Sequence, residues 1–216
     1  MALLDLLLPP SCAGCGRYGA SLCGACRTSL RPASQEADRF TAADPGIVLG
    51  DALQLGFAAF AYEGALRRAL QRLKYGGAAR LAEPLALACQ DEFARLLALA
   101  GRAPLVPVPV HTSRLRQRGY NQAALLARSL GRRHDLRVLD LLVRSRHTTE
   151  QHRLNRAGRL RNLQRAFALR GSVRPPPVVI LVDDILTTSA TLEACAAVLR
   201  AAGAYRVIGF ALAREV

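Results

Sequence analysis

Two groups of residues have types and spacings that could do chemistry. Asp183 and Asp184 are adjacent carboxylates placed directly after the apolar run 178–182, and Thr187, Thr188, Ser189 and Thr191 follow them. Carboxylates accept hydrogen bonds from a polyol or ligate a metal. A run of hydroxyls and backbone N–H groups at the start of a helix favours an anion, because the helix dipole is positive there. Ribose 5-phosphate has both a diol and a phosphate and would use the whole stretch. A purely structural reading stays open, in which one Asp caps the next helix and the other meets an arginine.

The second group is Cys12, Cys15, Cys23 and Cys26, a C-x2-C-x7-C-x2-C pattern. Each C-x2-C brings two thiolates to one tetrahedral ion, and Gly14, Gly16 and Gly24 permit the tight turns of a zinc knuckle. Four cysteines would close the shell of a Zn2+ and leave no position for water, so the ion would be structural. Two disulfides would instead need an oxidising compartment, and the opening MALLDLLLPP has no positive n-region and too short an apolar run for an export signal. A redox C-x2-C would come singly beside a βαβ unit. Cys89 and Cys195 lie in helix-like apolar stretches and read as core residues.

Strand and helix patterns show what must position these groups. Residues 52–62 read as a strand. EGALRRALQRLKYGG places Leu66, Leu70 and Leu73 on one helical face and ends at Gly76-Gly77. Lys74, the only lysine, sits at that end. It complements the helix dipole there, or its compact ammonium serves a phosphate. Residues 81–100 read as a second amphipathic helix. Residues 105–108 read as a short buried strand, His111 to Arg114 as a polar loop, and RGYNQAALLARSL as the start of a helix. Strand, polar loop with hydroxyls and a cation, and helix is a generic phosphate-handling arrangement, and its loop carries Arg114.

LRVLDLLVRSR supplies another strand candidate, and 166–169 a short strand after a basic loop. The run 178–182 is a strand covered on both faces, SATLEACAAVLRAAGA a helix and YRVIGFALAR a returning strand. The alternation predicts an α/β fold with a mainly parallel sheet flanked by helices, preceded by a small zinc-binding domain. Ligands in such sheets bind beyond the carboxyl ends of the strands. The polar, aperiodic stretch 32–51 divides the chain into residues 1–48 and 49–216.

Thirty basic and 16 acidic residues give a net charge of +14, and 29 of the basic residues are Arg. Fifteen Arg against three acids fall within residues 114–170, so any electrostatic footprint for a polyanion belongs to that segment. A solvated basic surface explains the arginine bias but not its crowding. No apolar run approaches the roughly eighteen residues of a spanning helix, so no membrane insertion and a cytoplasmic protein are expected.

VVILVDDILTTSATLEAC resembles the 5-phosphoribosyl-1-pyrophosphate (PRPP) motif of type I phosphoribosyltransferases: an apolar strand, two acids, two variable residues and T-T-G-[AG]-[ST]. The paired C-x2-C, RLKYGG, PVPVHTSRLRQRGYNQA, RSRHTTEQHRLNRAGRLRN and this motif occur in the same order in the competence protein F (ComF) family, so the resemblance spans nearly the whole chain. It implies a type I phosphoribosyltransferase-like fold. It also implies that Asp183 and Asp184 hold the ribose hydroxyls, and that Thr187, Thr188, Ser189, Ala190 and Thr191 wrap the 5-phosphate. The segment from His111 to Arg118 would lie near the pyrophosphate and its Mg2+, and residues 144–165 would form a mobile hood. Ser189 departs from the pattern, which has Gly; its Cβ narrows the approach of phosphate and restricts positive φ.

Two functions follow as expectations. The first is PRPP binding with phosphoribosyl transfer to an acceptor the sequence does not name, linked to DNA uptake and natural transformation. The alternative is a non-catalytic module for single-stranded DNA or the DNA-uptake machinery, using the zinc knuckle and the Arg-rich segment.

Overall fold

The computed structural model describes residues 9–33, 39–40, 51–144, 166–187 and 189–215. Its centre is a five-stranded sheet in the order β1-β2-β7-β6-β3. The strands are β1 (Arg39–Phe40), β2 (Leu55–Ala61), β3 (Leu105–Pro107), β6 (Val178–Leu186) and β7 (Arg206–Arg214). The last four run parallel and β1 is antiparallel to β2. Parallel neighbours need crossovers, and helices supply them: α2 (Gly64–Tyr75), α3 (Ala82–Ala88), α4 (Gln90–Ala100), α5 (Thr112–Arg118), α6 (Gln122–His134) and α7 (Ala190–Ala201), after a short α1 (Gly24–Thr28). Strands β4 (Leu142–Arg144) and β5 (Phe167–Leu169) form a separate antiparallel pair.

The continuous apolar run in β6 has its cause in the layers around it. Val179 to Val182 are fully buried because both sheet faces are covered. On one face Leu70 of α2, Leu85 of α3, Phe93 of α4 and Leu126 of α6 pack on Ile180, Val182, Ile208 and Phe210. On the other, Leu192, Cys195 and Leu199 of α7 join Leu142 and Phe167 on Val179, Leu181 and Val207. Each leucine buried this way contributes roughly 2 kcal/mol. Cys89 and Cys195 are buried, as the apolar setting of each requires.

Strand β3 contains Pro107, which cannot donate to a ladder, and it lies at the sheet edge, where that loss is tolerated. The chain covers this edge again when Leu105 N–H donates to Arg137 O and Leu139 N–H to Leu105 O, both at 2.8 Å.

Three sequence expectations change. The helix over 81–100 is two helices after a 3-10 turn (Ala79–Leu81), broken at Cys89 with φ −101° and ψ 15°. Leu85, Cys89, Phe93 and Leu96 all face the core, so the apolar period continues across a break it does not reveal. The loop at His111 to Arg114 is instead the start of α5, whose first turn is capped by His111 Nδ1 accepting from Ser113 N–H at 3.2 Å. Gly119, at φ +80°, ends α5, so the next helix begins at Gln122 and not within RGY. The third change concerns β6, which pairs with β7 through Leu186. Asp183 and Asp184 therefore stand inside the strand and not at its last residue.

The cysteine segment is joined to the body. Cys12, Ala13, Leu22 and Cys26 share a core with Leu66 and Leu70 of α2. Arg68 Nε donates to Gly14 O at 2.5 Å and Arg72 to Ser11 Oγ at 3.3 Å. Residues 31–33 run beside β2, with Ala33 N–H donating to Ala59 O.

Candidate sugar-phosphate cleft and metal centre

Helices α6 and α7, which follow the neighbouring strands β3 and β6, lie on opposite faces of the sheet. Connections that leave adjacent strands in opposite directions open a crevice at their carboxyl ends, the usual ligand position in such sheets. The crevice here is a cleft of about 160 Å3. Lys74 and Tyr75 of α2, residues 108–110, Arg114 and Arg118 of α5, Asn121 to Ala123 of α6, Arg144 of β4, Asp183 and Asp184 of β6 and Thr191 of α7 line it.

Of the residues singled out from sequence, Lys74, Arg114, Arg118, Asp183, Asp184 and Thr191 therefore meet in one cleft. Thr187 is exposed beyond β6, Ser189 is buried and Ala190 opens α7. Thr188 and residues 145–165 of the expected hood lie outside the described residues. Ser189 adopts φ +53°, the left-handed region that the glycine of the motif would enter freely. A serine thus occupies the conformation in which glycine would be expected.

The carboxylates leave the strand on opposite faces, as neighbours in a strand must. Asp184 turns to the α2 face, where its Oδ2 lies 3.0 Å from Lys74 Nζ. Its Oδ1 accepts from Ile185 N–H at 3.0 Å, while Asp183 Oδ1 accepts from Asp184 N–H at 2.8 Å. Burial, followed by the charge of Asp184, pushes Asp183 well above the usual carboxylate range, and the Lys74 ammonium opposes that push only in part. The opposite wall is cationic. Burial pulls the Arg144 guanidinium below its ordinary value and the nearby charge of Arg114 adds to this, while the Arg118 guanidinium lies over the Tyr75 ring at 4.9 Å. Gln122 is only 2% exposed, yet among the described residues its Nε2 has no hydrogen-bond partner, and neither has Arg118 Nε. Unpaired buried donors in a cationic cleft suit an anionic ligand.

Asn121 fixes the cleft's floor. Its Nδ2 donates to Val108 O at 2.9 Å and its Oδ1 caps α6 by accepting from Ala123 N–H at 3.0 Å. Tyr120 Oη donates to Leu73 O at 2.7 Å and so holds the end of α2, with Lys74, against the segment after α5. Sequence reasoning did not single out Tyr75, Asn121 or Gln122. The signal available was the run YNQ between two helical patterns, where Asn is a favoured cap.

The four cysteine sulfurs converge. All lie within 4.8 Å of one another, and Cys15 Sγ and Cys23 Sγ are 3.7 Å apart. Ligands at the usual Zn–S distance of about 2.3 Å stand about 3.8 Å apart on a tetrahedron, so the donors fit Zn2+. A Cβ on Gly14 would come within 2.6 Å of Cys26 Sγ, which explains the glycine in the first turn. Against the upward push of burial, N–H groups of Cys23, Cys15 and Gly14 bring the Cys12 thiol down to about 6. Burial and the other three thiols push Cys26 up to about 12. Beside this centre a broader groove of about 870 Å3 runs between Cys12 to Gly16 and Arg68, Gln71, Arg72, Tyr75 and Gly76 of the α2 region. Tyr75 borders both the groove and the cleft.

Among the described residues no helix is long and apolar enough to cross a membrane. Comparison with known proteins gives four relevant likenesses. Residues 3–37 match the double zinc ribbon domain family. A competence protein F of Haemophilus influenzae is 32% identical over 94% of this chain and 90% of its own length. The competence protein ComFC of Streptococcus pneumoniae is 29% identical over 73% of this chain and 67% of its own. A DNA utilization protein of Escherichia coli is 37% identical, over 52% of this chain and 49% of its own.

Proposed function

The chain belongs to the competence protein F family, and from that premise we propose that it binds PRPP or a related sugar phosphate in the cleft between β3 and β6, in the service of DNA uptake. The observation that carries the ligand reading is the meeting, at the carboxyl ends of two adjacent parallel strands, of twin carboxylates with Arg114, Arg118 and the buried amide of Gln122. The names of the relatives, competence protein and DNA utilization protein, support the process.

In this reading Asp183 and Asp184 accept hydrogen bonds from the ribose hydroxyls, and the turn from Thr187 to Thr191 wraps the 5-phosphate with N–H and hydroxyl donors. A cleft of about 160 Å3 is smaller than the several hundred Å3 usual for small-molecule sites. The diphosphate would therefore extend over the mouth, toward Arg114 and Arg118. Mg2+ accompanying the diphosphate would supply charge neutralisation for the leaving group, beside Arg114 and Arg118.

As a phosphoribosyltransferase the site would break the bond from ribose C1 to diphosphate oxygen, with the electron pair leaving on diphosphate. A nucleophile would form the new bond at C1 and lose its proton. Arg114 and Arg118 stabilise the departing charge, and a carboxylate near C1 stabilises the developing positive charge on the ring.

The broad groove supports a second, compatible reading. Tyr75 is 73% exposed there, beside Arg68 and Arg72. An aromatic platform flanked by arginines suits single-stranded DNA, whose bases stack and whose phosphates meet cations.

Calorimetric titration with PRPP and Mg2+, repeated with single-stranded DNA present, tests both readings. The variant carrying Asp183→Asn and Asp184→Asn should lose PRPP binding and keep DNA affinity. Unchanged PRPP affinity in that variant would refute the cleft assignment. Replacing Arg68 and Arg72 by Ala should flatten the salt dependence of DNA binding, and an unaltered slope would exclude the groove.

A further inference from the structure

Lys74 is the only lysine among 30 basic residues. Its Nζ lies 3.0 Å from Asp184 Oδ2, with side-chain exposures of 21% and 12%. The contact joins residues far apart in the chain, and the helix end that carries Lys74 is held by the Tyr120 hydroxyl on Leu73 O. It is thus a built contact and not a loose surface pair. A carboxylate holds two sugar hydroxyls best as an ionised acceptor. Burial first, and the adjacent Asp184 carboxylate second, push Asp183 above the usual carboxylate range. The other charged groups lining the cleft are Arg114 and Arg118 from α5 and Arg144 from β4. Among the described residues, Asp184 forms its salt bridge with Lys74.

We propose that Lys74 is a positioning residue which holds the Asp184 carboxylate aimed at the sugar diol, so that it sets selectivity for ribose and does not itself bind the phosphate. This rests on the sugar-phosphate reading of the cleft. It also separates two chemistries a lysine at this place could serve. A phosphate ligand would act on any phosphate, whereas a partner of Asp184 acts only on ligands with hydroxyls for Asp184 to hold.

The test is a double-mutant cycle on the zinc-loaded full chain, with ribose 5-phosphate and inorganic phosphate as calorimetric probes. Lys74→Met and Asp184→Asn should each weaken ribose 5-phosphate by about tenfold to a hundredfold, the loss expected for a charge-assisted hydrogen bond. The double variant should be no weaker than Asp184→Asn alone, because Lys74 acts through that carboxylate. Inorganic phosphate affinity should stay within about twofold throughout.

Additive losses, or a parallel loss of inorganic phosphate binding in Lys74→Met, would overturn the proposal. Lys74→Gln is titrated alongside, so that a folding failure of the methionine variant, seen in melting and zinc content, does not decide the matter. A wild-type protein that fails to bind ribose 5-phosphate sinks the sugar-phosphate reading itself. Wild-type binding with an unchanged Lys74→Met ratio sinks only the role given to Lys74.

Discussion

Asn121→Ala should lower the melting temperature by about 9 °C and weaken the cleft's ligand. Asn121 makes two separable contacts, capping α6 through Ala123 N–H at 3.0 Å and holding Val108 O at 2.9 Å. Loss of the cap costs about 1 kcal/mol. Val108 is 5% exposed, and a carbonyl left unpaired there costs about 1–3 kcal/mol. Together about 3 kcal/mol is removed, and a chain of this size shifts by roughly 2–4 °C per kcal/mol. Asn121→Asp separates the terms, since it keeps the capping acceptor at a helix N-terminus but removes the donor to Val108, so its melting point should fall between wild type and Ala. Differential scanning calorimetry of the zinc-loaded protein measures both. An Ala variant melting within about 2 °C of wild type would refute the claim that this side chain ties β3 to α6.

Asp183 has a raised folded pKa, so its ionisation opposes folding: stability is greatest near and below the ordinary carboxylate value of about 4 and falls as pH rises through the raised value. Asp183→Asn should accordingly be more stable than wild type in urea at neutral pH, with the difference vanishing toward about pH 4; a less stable variant at neutral pH would contradict the sign. Ser189→Gly relieves a left-handed serine at φ +53°, a strain of roughly 1–2 kcal/mol that glycine's added unfolded-state freedom of roughly 0.5–1 kcal/mol partly offsets. Stability should rise by no more than about 1.5 kcal/mol while PRPP binding tightens in calorimetry, and weaker binding would show that the Cβ is no obstacle. Replacing Cys12 and Cys15 by Ser should take zinc content by atomic emission from about one ion per chain to none, and hydrogen exchange should quicken in residues 9–33. Retained zinc would disprove the four-sulfur centre.

What the sequence determined by itself is whatever depends on neighbours along the chain. The C-x2-C pairs were legible because two thiolates three residues apart, with glycine between, already define half of a tetrahedral site. Strand β6 and helix α7 were legible because an apolar β-branched run and a 3.6-residue period are local consequences of backbone sterics and burial. The same locality explains the misses. A core-facing period that continues through Cys89 conceals the break between α3 and α4, and two helices that nearly abut at Gly119 read as loop and helix.

The cleft itself was decided by tertiary structure. Strand order β1-β2-β7-β6-β3 places β3 beside β6, although more than 70 residues separate them in the chain. Only that pairing brings Arg114 and Gln122 opposite Asp183. Lys74 could be read as a helix-end cation, but its partner Asp184 lies 110 residues away along the chain. The choice of neighbour is made by burying both sheet faces at once, a sum over many distant contacts that no short stretch of residues contains.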